Sequence, residues 1–158
     1  MKYHIEKNTI QETLVIPLYA RALCTRRFPH LFSDPLSVEL LEQLDYDFSA
    51  LERTSGSLMQ TFGAMEAAMR QSDLAWEVRD YLADHPQAAV VNLGCGLDQT
   101  GRSCDNGQCR LYNIDLPDVM AVREALLPAG EREKNLTADL NDLSWFDAID
   151  TPLEDGAV

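Results

Sequence analysis

The residues with the clearest chemical potential are two glycines that follow an apolar run. Residues 88–93 (AAVVNL) lead directly into Gly94-Cys95-Gly96. Short apolar and β-branched runs are typical of strands buried in parallel sheets, and glycines allow the backbone to turn tightly and approach a ligand closely. Ligands of open parallel sheets bind at the carboxyl ends of the strands. This stretch therefore predicts a strand that ends in a ligand-binding turn.

An aspartate follows a second strand-like run. Residues 110–114 (RLYNI) lead into Asp115, which lies about 20 residues beyond the glycines, where an acid can reach a ribose hydroxyl. A charge-assisted hydrogen bond of this kind contributes roughly 1.5–3 kcal/mol. Asp115 could also serve as a helix N-cap before Pro117, and the two roles are compatible. An adenosine-containing ligand is therefore the first class to test.

The dinucleotide fingerprint fits this turn less well. It requires a third glycine where this chain has Gln99, and it requires a helix that begins at the turn. Residues 98–103 (DQTGRS) are polar and predict a loop instead. An NAD-linked oxidoreductase is therefore the third-ranked function.

Composition limits the possible partners of the 158-residue chain. Hydrophobic residues make up 46% and charged residues 25%, as in one soluble globular domain. The net charge of −13 disfavours binding to nucleic acid and to anionic membranes. No apolar run approaches the roughly 20 residues of a membrane span, and the first residues are too polar for a signal peptide. We expect a cytoplasmic protein.

The four cysteines do not form a metal-binding pattern. Cys24, Cys95, Cys104 and Cys109 include no Cys-x-x-Cys pair, and no histidine completes a zinc set. We expect reduced structural thiols and no metal. Cys95, between the glycines, could be reactive, but a small apolar residue in a tight turn is the favoured interpretation.

The first half of the chain has helical patterns. Residues 9–12 (TIQE) predict a capping box, followed by apolar residues at helical spacing with a bend or break at Pro17. Asp34-Pro35 predicts the start of a second helix that continues to Leu44. Two further helices are predicted, one from Ser57 and one that starts near Ser72-Asp73 and stops before His85-Pro86. The apolar residues that carry these patterns are Ile10, Leu14, Leu18, Ala22, Leu36, Leu40, Leu41, Leu58, Phe62, Met65, Ala68, Met69, Leu74, Val78 and Leu82, and Met59, Met65 and Met69 are predicted to fill the core.

The second half predicts a β-α-β succession. We expect strands at 88–93, 110–114 and 135–138, a helix over 117–127 and a turn at Asn106-Gly107. The predicted domains are an amino-terminal helical cap, 1–86, and an α/β part, 87–158. Residues 153–158 (LEDGAV) resemble a turn into a fourth strand, so the chain either frays there or is the amino-terminal half of a larger fold. In the second case an unpaired sheet edge predicts a homo-oligomer.

Several motifs together resemble the leucine carboxyl methyltransferase family, in particular its bacterial O-methyltransferases similar to the tetracenomycin enzyme. The motifs are NLGCGLD (92–98), DLPDV (115–119) with Arg123 and LLP (126–128), and the upstream stretches ETL (12–14), RA (21–22), SDP (33–35), DYDF (45–48) and Arg70-x-x-Asp73. The resemblance implies a class I S-adenosylmethionine-dependent methyltransferase. The implied fold is a Rossmann-like parallel sheet with a helical cap, and we expect it to be truncated here after the third strand.

The resemblance also implies roles for individual residues. Gly94 and Gly96 form the turn beneath the methionine part of the cofactor. Arg70 pairs with the cofactor carboxylate, unless it is only a solvated helix-end charge. Asp115 accepts the ribose hydroxyls, with Leu116 beside it.

Two acidic positions keep alternative interpretations. Asp98 accepts from the cofactor amino group, or it forms an Asx turn. Asp139-Leu140 contacts the adenine, or it forms a surface turn. The family usually continues the glycine motif with Thr-Arg, whereas residues 99–102 (QTGR) follow here.

The leading functional hypothesis is an O-methyltransferase acting on a small carboxylic or phenolic acceptor. Tyr19, Arg21 and Met65 are candidate lining residues of an acceptor pocket, and the catalytic residues are unknown, since no histidine has an identifiable partner. The competing hypothesis is a non-catalytic module that binds S-adenosylmethionine or another adenosine ligand, either a remnant or a subunit completed by a partner.

Overall fold

The computed structural model describes residues 2–150. The predicted fourth strand at 153–158 lies outside these residues. The chain divides into two compact units between Ser72 and Asp73. The sequence pattern put the domain boundary at 86/87, where the helical residues end, whereas the compact units divide earlier, within a long helix.

The first unit is mostly helical. Its elements are β1 (Tyr3–His4), a 3-10 helix (Ile10–Leu14), α1 (Val15–Arg27), α2 (Pro35–Gln43), β2 (Leu44–Asp45), α3 (Ser49–Thr54) and the first part of α4 (Leu58–Asp84). The strands β1 and β2 form a short parallel pair. The predicted start of α2 is confirmed, because the Asp34 side chain accepts a hydrogen bond from the Ser37 N–H (3.1 Å). The helix ends at Gln43, one residue before the predicted Leu44.

The predicted capping box at 9–12 does not form. The Thr9 hydroxyl donates to the Glu6 carbonyl (2.8 Å), and the Glu12 carboxylate accepts from the Asn8 N–H (3.0 Å). Asn8 has a φ of +61°. The Glu12 carboxylate therefore binds the N–H of Asn8, one residue before the Thr9 N–H that a capping box would use. Pro17 does not break α1, because it lies in the first turn of the helix. The N–H groups of the first turn have no partner within the helix, so the N–H that proline lacks is not needed there.

The two helices predicted from Ser57 and Ser72 are one helix, α4. Ser72 and Asp73 resemble a helix start, but their neighbours are good helix formers and no glycine or proline interrupts them. The methionine prediction was wrong for two of three side chains. Met59 is 81% exposed and Met69 is 47% exposed, whereas Met65 packs against buried Cys24, Phe32 and Ala68.

The second unit contains a three-stranded parallel sheet. Its elements after α4 are β3 (Ala89–Leu93), α5 (Thr100–Cys104), β4 (Arg110–Asp115), α6 (Pro117–Leu126), β5 (Glu133–Thr137) and a 3-10 helix (Leu143–Ala148). The strand order is β3-β4-β5, and both pairs are parallel, as the β-α-β pattern predicted. Among the described residues β3 is an edge strand. The strand β5 begins two residues earlier than predicted, at Glu133, a charged residue that does not resemble a buried strand start.

Residues 98–103 are not the predicted loop. Residues 100–104 form the short helix α5, in which Thr100, Gly101 and Cys104 are buried. Gly101 faces the sheet, since a Cβ there would lie 3.7 Å from Leu111 and 3.9 Å from Val90. Although the sequence of this segment is polar, one face of α5 packs on β3 and β4. The predicted turn at Asn106-Gly107 is present, with Gly107 at φ +82°.

One core cluster of the second unit lies between the sheet and the second part of α4. It contains Ala75, Leu82, Ala88, Val90, Cys104, Cys109 and Leu111, with Val78 and Tyr81 packed against it. All four cysteines are buried, and none forms a disulfide among residues 2–150. Within the same range, no helix is both long and apolar enough to cross a membrane.

Candidate functional site

A glycine turn follows β3. Gly94 has a φ of +63° and Gly96 a φ of +47°, so both occupy the left-handed region in which side chains are disfavoured. The N–H groups of Gly94 and Cys95 donate to the Ile114 carbonyl of β4 (2.9 and 3.2 Å). A Cβ at Gly94 would meet no atom within 4 Å, so the space above the turn is open. The turn therefore presents bare backbone to a ligand.

Asp115 is held at the end of β4 beside this turn. One carboxylate oxygen accepts from the Gly96 N–H and the other from the Leu116 N–H, both at 2.8 Å. The N-cap residue of α6 is Leu116, so Asp115 is not the N-cap that the alternative interpretation predicted. A carboxylate has about four acceptor positions, and two remain after these bonds. Asp115 can thus accept two further hydrogen bonds in a fixed orientation.

Asp98 forms the Asx turn that was its alternative interpretation. Its side chain accepts from the Thr100 N–H and from the Asn92 side-chain amide (3.0 and 3.1 Å), and from the Thr100 hydroxyl (3.0 Å). These bonds join the glycine turn to the start of α5. The contact of Asp98 with the cofactor amino group stays a prediction.

The segment after β5 lies at the same edge of the sheet. Asp115 pairs with Thr137 in the β4-β5 register, and the Ala138 N–H donates to the Asp115 carbonyl (3.0 Å). Asp139 is exposed and accepts from the backbone and side chain of Asn141 (2.9 and 2.8 Å), while Leu140 is half-buried. The carboxyl ends of all three strands therefore bring seven predicted site residues to one edge: Gly94, Gly96, Asp98, Asp115, Leu116, Asp139 and Leu140.

The eighth predicted residue, Arg70, is exposed and lies in the first unit. It is the one charged residue among those that line an apolar cavity of about 760 Å³ between α1, α3 and α4. Tyr19 also lines this cavity, and its role in an acceptor pocket stays a prediction. Arg21 and Met65 do not: Arg21 is buried with its Nε 3.1 Å from the Asp34 carboxylate, and Met65 packs in the core.

Sequence reasoning missed the part played by Arg123. This side chain is fully buried on α6, and its Nη1 donates to the carbonyls of Gly96 (2.9 Å) and Asp98 (2.8 Å). Its Nη2 lies 3.4 Å from a Glu133 oxygen, and Arg102 binds the other Glu133 oxygen. The sequence feature that could have identified this role is an arginine on the apolar face of α6, beside Val119, Met120 and Val122.

Several ionisable groups of this region have shifted pKa values, and hydrogen bonds from Asn141 lower the pKa of Asp139. Burial raises the pKa of the Cys95 thiol to about 12, so this thiol is not a nucleophile near neutral pH. Burial alone would raise the pKa of Glu133, but hydrogen bonds from Arg102 and the Gly130 N–H lower it below its ordinary value of 4.5. Glu133 therefore stays ionised next to two guanidinium groups.

The fold and the site together define an α/β domain of the Rossmann-like class. A parallel sheet, a positive-φ glycine turn after one strand and a fixed acid after the next are the features with which such domains bind adenosine cofactors. Comparison with protein families is more specific. The chain belongs to the leucine carboxyl methyltransferase family, whose model matches residues 15–153.

A curated relative agrees with this membership. The chain is 33% identical over 142 residues to the tetracenomycin polyketide synthesis O-methyltransferase TcmP of Streptomyces glaucescens. The alignment covers 89% of this chain and 50% of TcmP, so the chain spans about half the length of that relative.

Proposed function

We propose that this chain carries the cofactor-binding part of an S-adenosylmethionine-dependent O-methyltransferase. The observation that carries the proposal is the position of Asp115, whose carboxylate is oriented by two backbone N–H groups and keeps two acceptor positions beside an open glycine turn. The two hydroxyls of a ribose match such a carboxylate. Membership of the leucine carboxyl methyltransferase family supports S-adenosylmethionine over NAD.

The described residues fit this cofactor. Gly94 and Gly96 leave room for the methionine part close to the backbone, and Asp115 with Leu116 would hold the ribose. Asp139 and Leu140 follow the next strand, where they would contact the adenine. We keep Arg70 as the proposed partner of the cofactor carboxylate, because a guanidinium can bind a carboxylate with two parallel hydrogen bonds.

When bound, S-adenosylmethionine supplies a methyl group activated by a sulfonium. The protein has to hold the acceptor oxygen in line with that methyl group, and proximity and orientation supply much of the rate. A carboxylate acceptor needs no general base, whereas a phenol would benefit from one. We propose a small carboxylic or phenolic acceptor. Within the first unit, the cavity that Tyr19 and Arg70 line has the volume and the apolar lining of small-molecule sites.

We keep one alternative function beside this proposal. It is a non-catalytic module that binds S-adenosylmethionine without turnover, either as a remnant or as a subunit that a partner completes. This alternative predicts S-adenosylhomocysteine binding without methyl transfer to aromatic carboxylates or phenols. Radiolabelled methyl transfer separates the two functions.

The test of the proposal is calorimetric titration with S-adenosylhomocysteine, with NADH as the comparison ligand. We expect binding of S-adenosylhomocysteine only. Replacement of Asp115 by Asn should weaken it about 100-fold, because two charge-assisted hydrogen bonds of roughly 1.5 kcal/mol each are lost or reduced.

The matched control is Asp118→Asn, which removes an exposed carboxylate in the first turn of α6. It should leave the affinity unchanged. Unchanged affinity in Asp115→Asn would remove Asp115 from the site. Tighter binding of NADH than of S-adenosylhomocysteine would overturn the proposed cofactor.

A further inference from the structure

Arg123 occupies a position that packing alone does not explain. It lies on the inward face of α6, where the neighbouring residues Val119, Met120 and Val122 are buried and apolar. Its side chain is fully buried, and its Nε has no hydrogen-bond partner among the described residues. Burying a guanidinium carries a desolvation penalty, and an apolar side chain of similar volume often serves stability equally well.

The property that an apolar residue would lack is the pair of donors on Nη1. These donors bind the carbonyls of Gly96 and Asp98, which are the two ends of the segment that follows the glycine turn. The same nitrogen therefore fixes two peptide groups that no helix or strand holds. Glu133 compensates the charge from the far side, with its oxygen 3.4 Å from Nη2.

The contacts of Gly96 connect Arg123 with Asp115. The carbonyl of Gly96 is bound by Arg123, and its N–H is bound by Asp115. Both peptide groups that flank the Gly96 Cα are thus held, at a φ of +47°. If Gly96 leaves this conformation, its N–H no longer points at the Asp115 carboxylate. The orientation of Asp115 then has only the Leu116 N–H to maintain it.

We infer that Arg123 is a positioning residue for the cofactor site: it holds the glycine turn in the conformation that orients Asp115. The inference rests on the proposed function, because it assigns Arg123 to the same adenosine site. Arg123 touches no ligand in this scheme and acts through Gly96.

The test compares Arg123→Met with Val122→Ala, a core variant at the adjacent, fully buried position of the same helix. Both lose stability, but only Arg123→Met releases the turn. At a temperature where both are folded, Arg123→Met should bind S-adenosylhomocysteine about 10-fold more weakly, a loss comparable to that seen when residues that orient metal ligands are removed. Val122→Ala should retain the affinity of the unchanged chain.

Amide hydrogen exchange by NMR provides a second readout, which needs no ligand. The Gly96 N–H should exchange faster in Arg123→Met than in Val122→Ala, because its bond to Asp115 becomes intermittent. Equal exchange rates at Gly96 together with unchanged affinity would overturn the inference and leave Arg123 a structural residue.

The same measurements cover two other cases. If Arg123→Met does not fold, Arg123→Lys replaces it, since an ammonium keeps the charge beside Glu133 and offers donors to the carbonyls on a shorter side chain. It should show an intermediate loss of affinity together with faster exchange of the Gly96 N–H, and a loss of affinity without faster exchange at Gly96 would overturn the inference. If the unchanged chain does not bind S-adenosylhomocysteine, the proposed function fails, and the exchange of Gly96 decides the inference by itself.

Discussion

Each compact unit buries an arginine against a carboxylate, but the two arginines serve different parts of the chain. In the first unit, the Arg21 Nε donates to Asp34 at 3.1 Å, and the other oxygen of Asp34 caps α2 through the Ser37 N–H. In the second unit, Arg123 faces Glu133 and also holds two carbonyls of the glycine turn. The first arrangement supports the start of a helix, whereas the second supports an irregular loop.

The difference shows where a buried charge has a local purpose and where it joins distant segments. The N-cap of α2 is a local interaction, because Asp34 lies three residues before Ser37, whose N–H it binds. The Glu133 cluster connects α5, β4, α6 and β5, since Arg102, Asn113 and Arg123 all donate to the one carboxylate of Glu133. We therefore expect the Arg21 pair to affect stability alone and the Glu133 cluster to affect stability and the site.

The largest effect should come from Glu133→Gln. This substitution keeps the shape of the side chain but leaves the buried guanidinium of Arg123 and the partly buried one of Arg102 without their anion. Removing one member of a buried ion pair typically costs about 3–5 kcal/mol in the free energy of unfolding. Urea denaturation would measure the loss. A loss below about 1 kcal/mol would show that the cluster contributes little to stability.

A smaller effect is expected from Arg21→Met. Asp34 keeps its bond to the Ser37 N–H, so the cost should be roughly 1.5–3 kcal/mol, the range for a hydrogen bond to a charged group. Affinity for S-adenosylhomocysteine should not change, because Arg21 does not line the cavity of its unit and has no part in the glycine turn. Weaker binding in folded Arg21→Met would remove the distinction between the two arginines.

The smallest effect is the pH dependence of the Glu133 contribution. The pKa of Glu133 is lowered in the folded protein from its ordinary value of 4.5, so the ionised group stabilises the fold above that value. The contribution is lost as the pH falls through the lowered pKa, because protonated Glu133 resembles glutamine. The difference in unfolding free energy between the unchanged chain and Glu133→Gln should therefore be constant near pH 7 and shrink below about pH 4.5.

Comparing the two proteins at each pH cancels the contributions of the other carboxylates. A difference that stays the same at acidic pH would contradict the assignment of an ionised, paired Glu133.

Local patterns predicted the elements of the sheet well. The strands at 89–93 and 110–115 and the helix at 117–126 lie within a residue or two of their predicted bounds. Apolar runs, glycines and an N1 proline act through neighbouring residues, so they can be recognised in a linear sequence. The same holds for the Asp34 cap and the Asn106-Gly107 turn.

Two of the failures have a common cause. The sequence predicted a loop at 98–103 and core positions for Met59 and Met69, and both outcomes depended on what packs against the segment. Gly101 is helical against Val90 and Leu111, and Met59 has no neighbour that covers it. Tertiary contacts override local preference in such places.

The sequence by itself determined the order of the elements, the glycine turn and the acid that follows the next strand, because these depend on local backbone chemistry. Only the tertiary structure decided that Asp115 accepts from the Gly96 N–H. It also decided that Arg123 donates to the Gly96 carbonyl and pairs with Glu133. Gly96 and Asp115 are 19 residues apart, and the Gly96 carbonyl lies 27 residues from Arg123. Contacts over such separations form only when the parallel sheet aligns the ends of its strands, and no spacing rule in the sequence encodes which donors will meet which carbonyls.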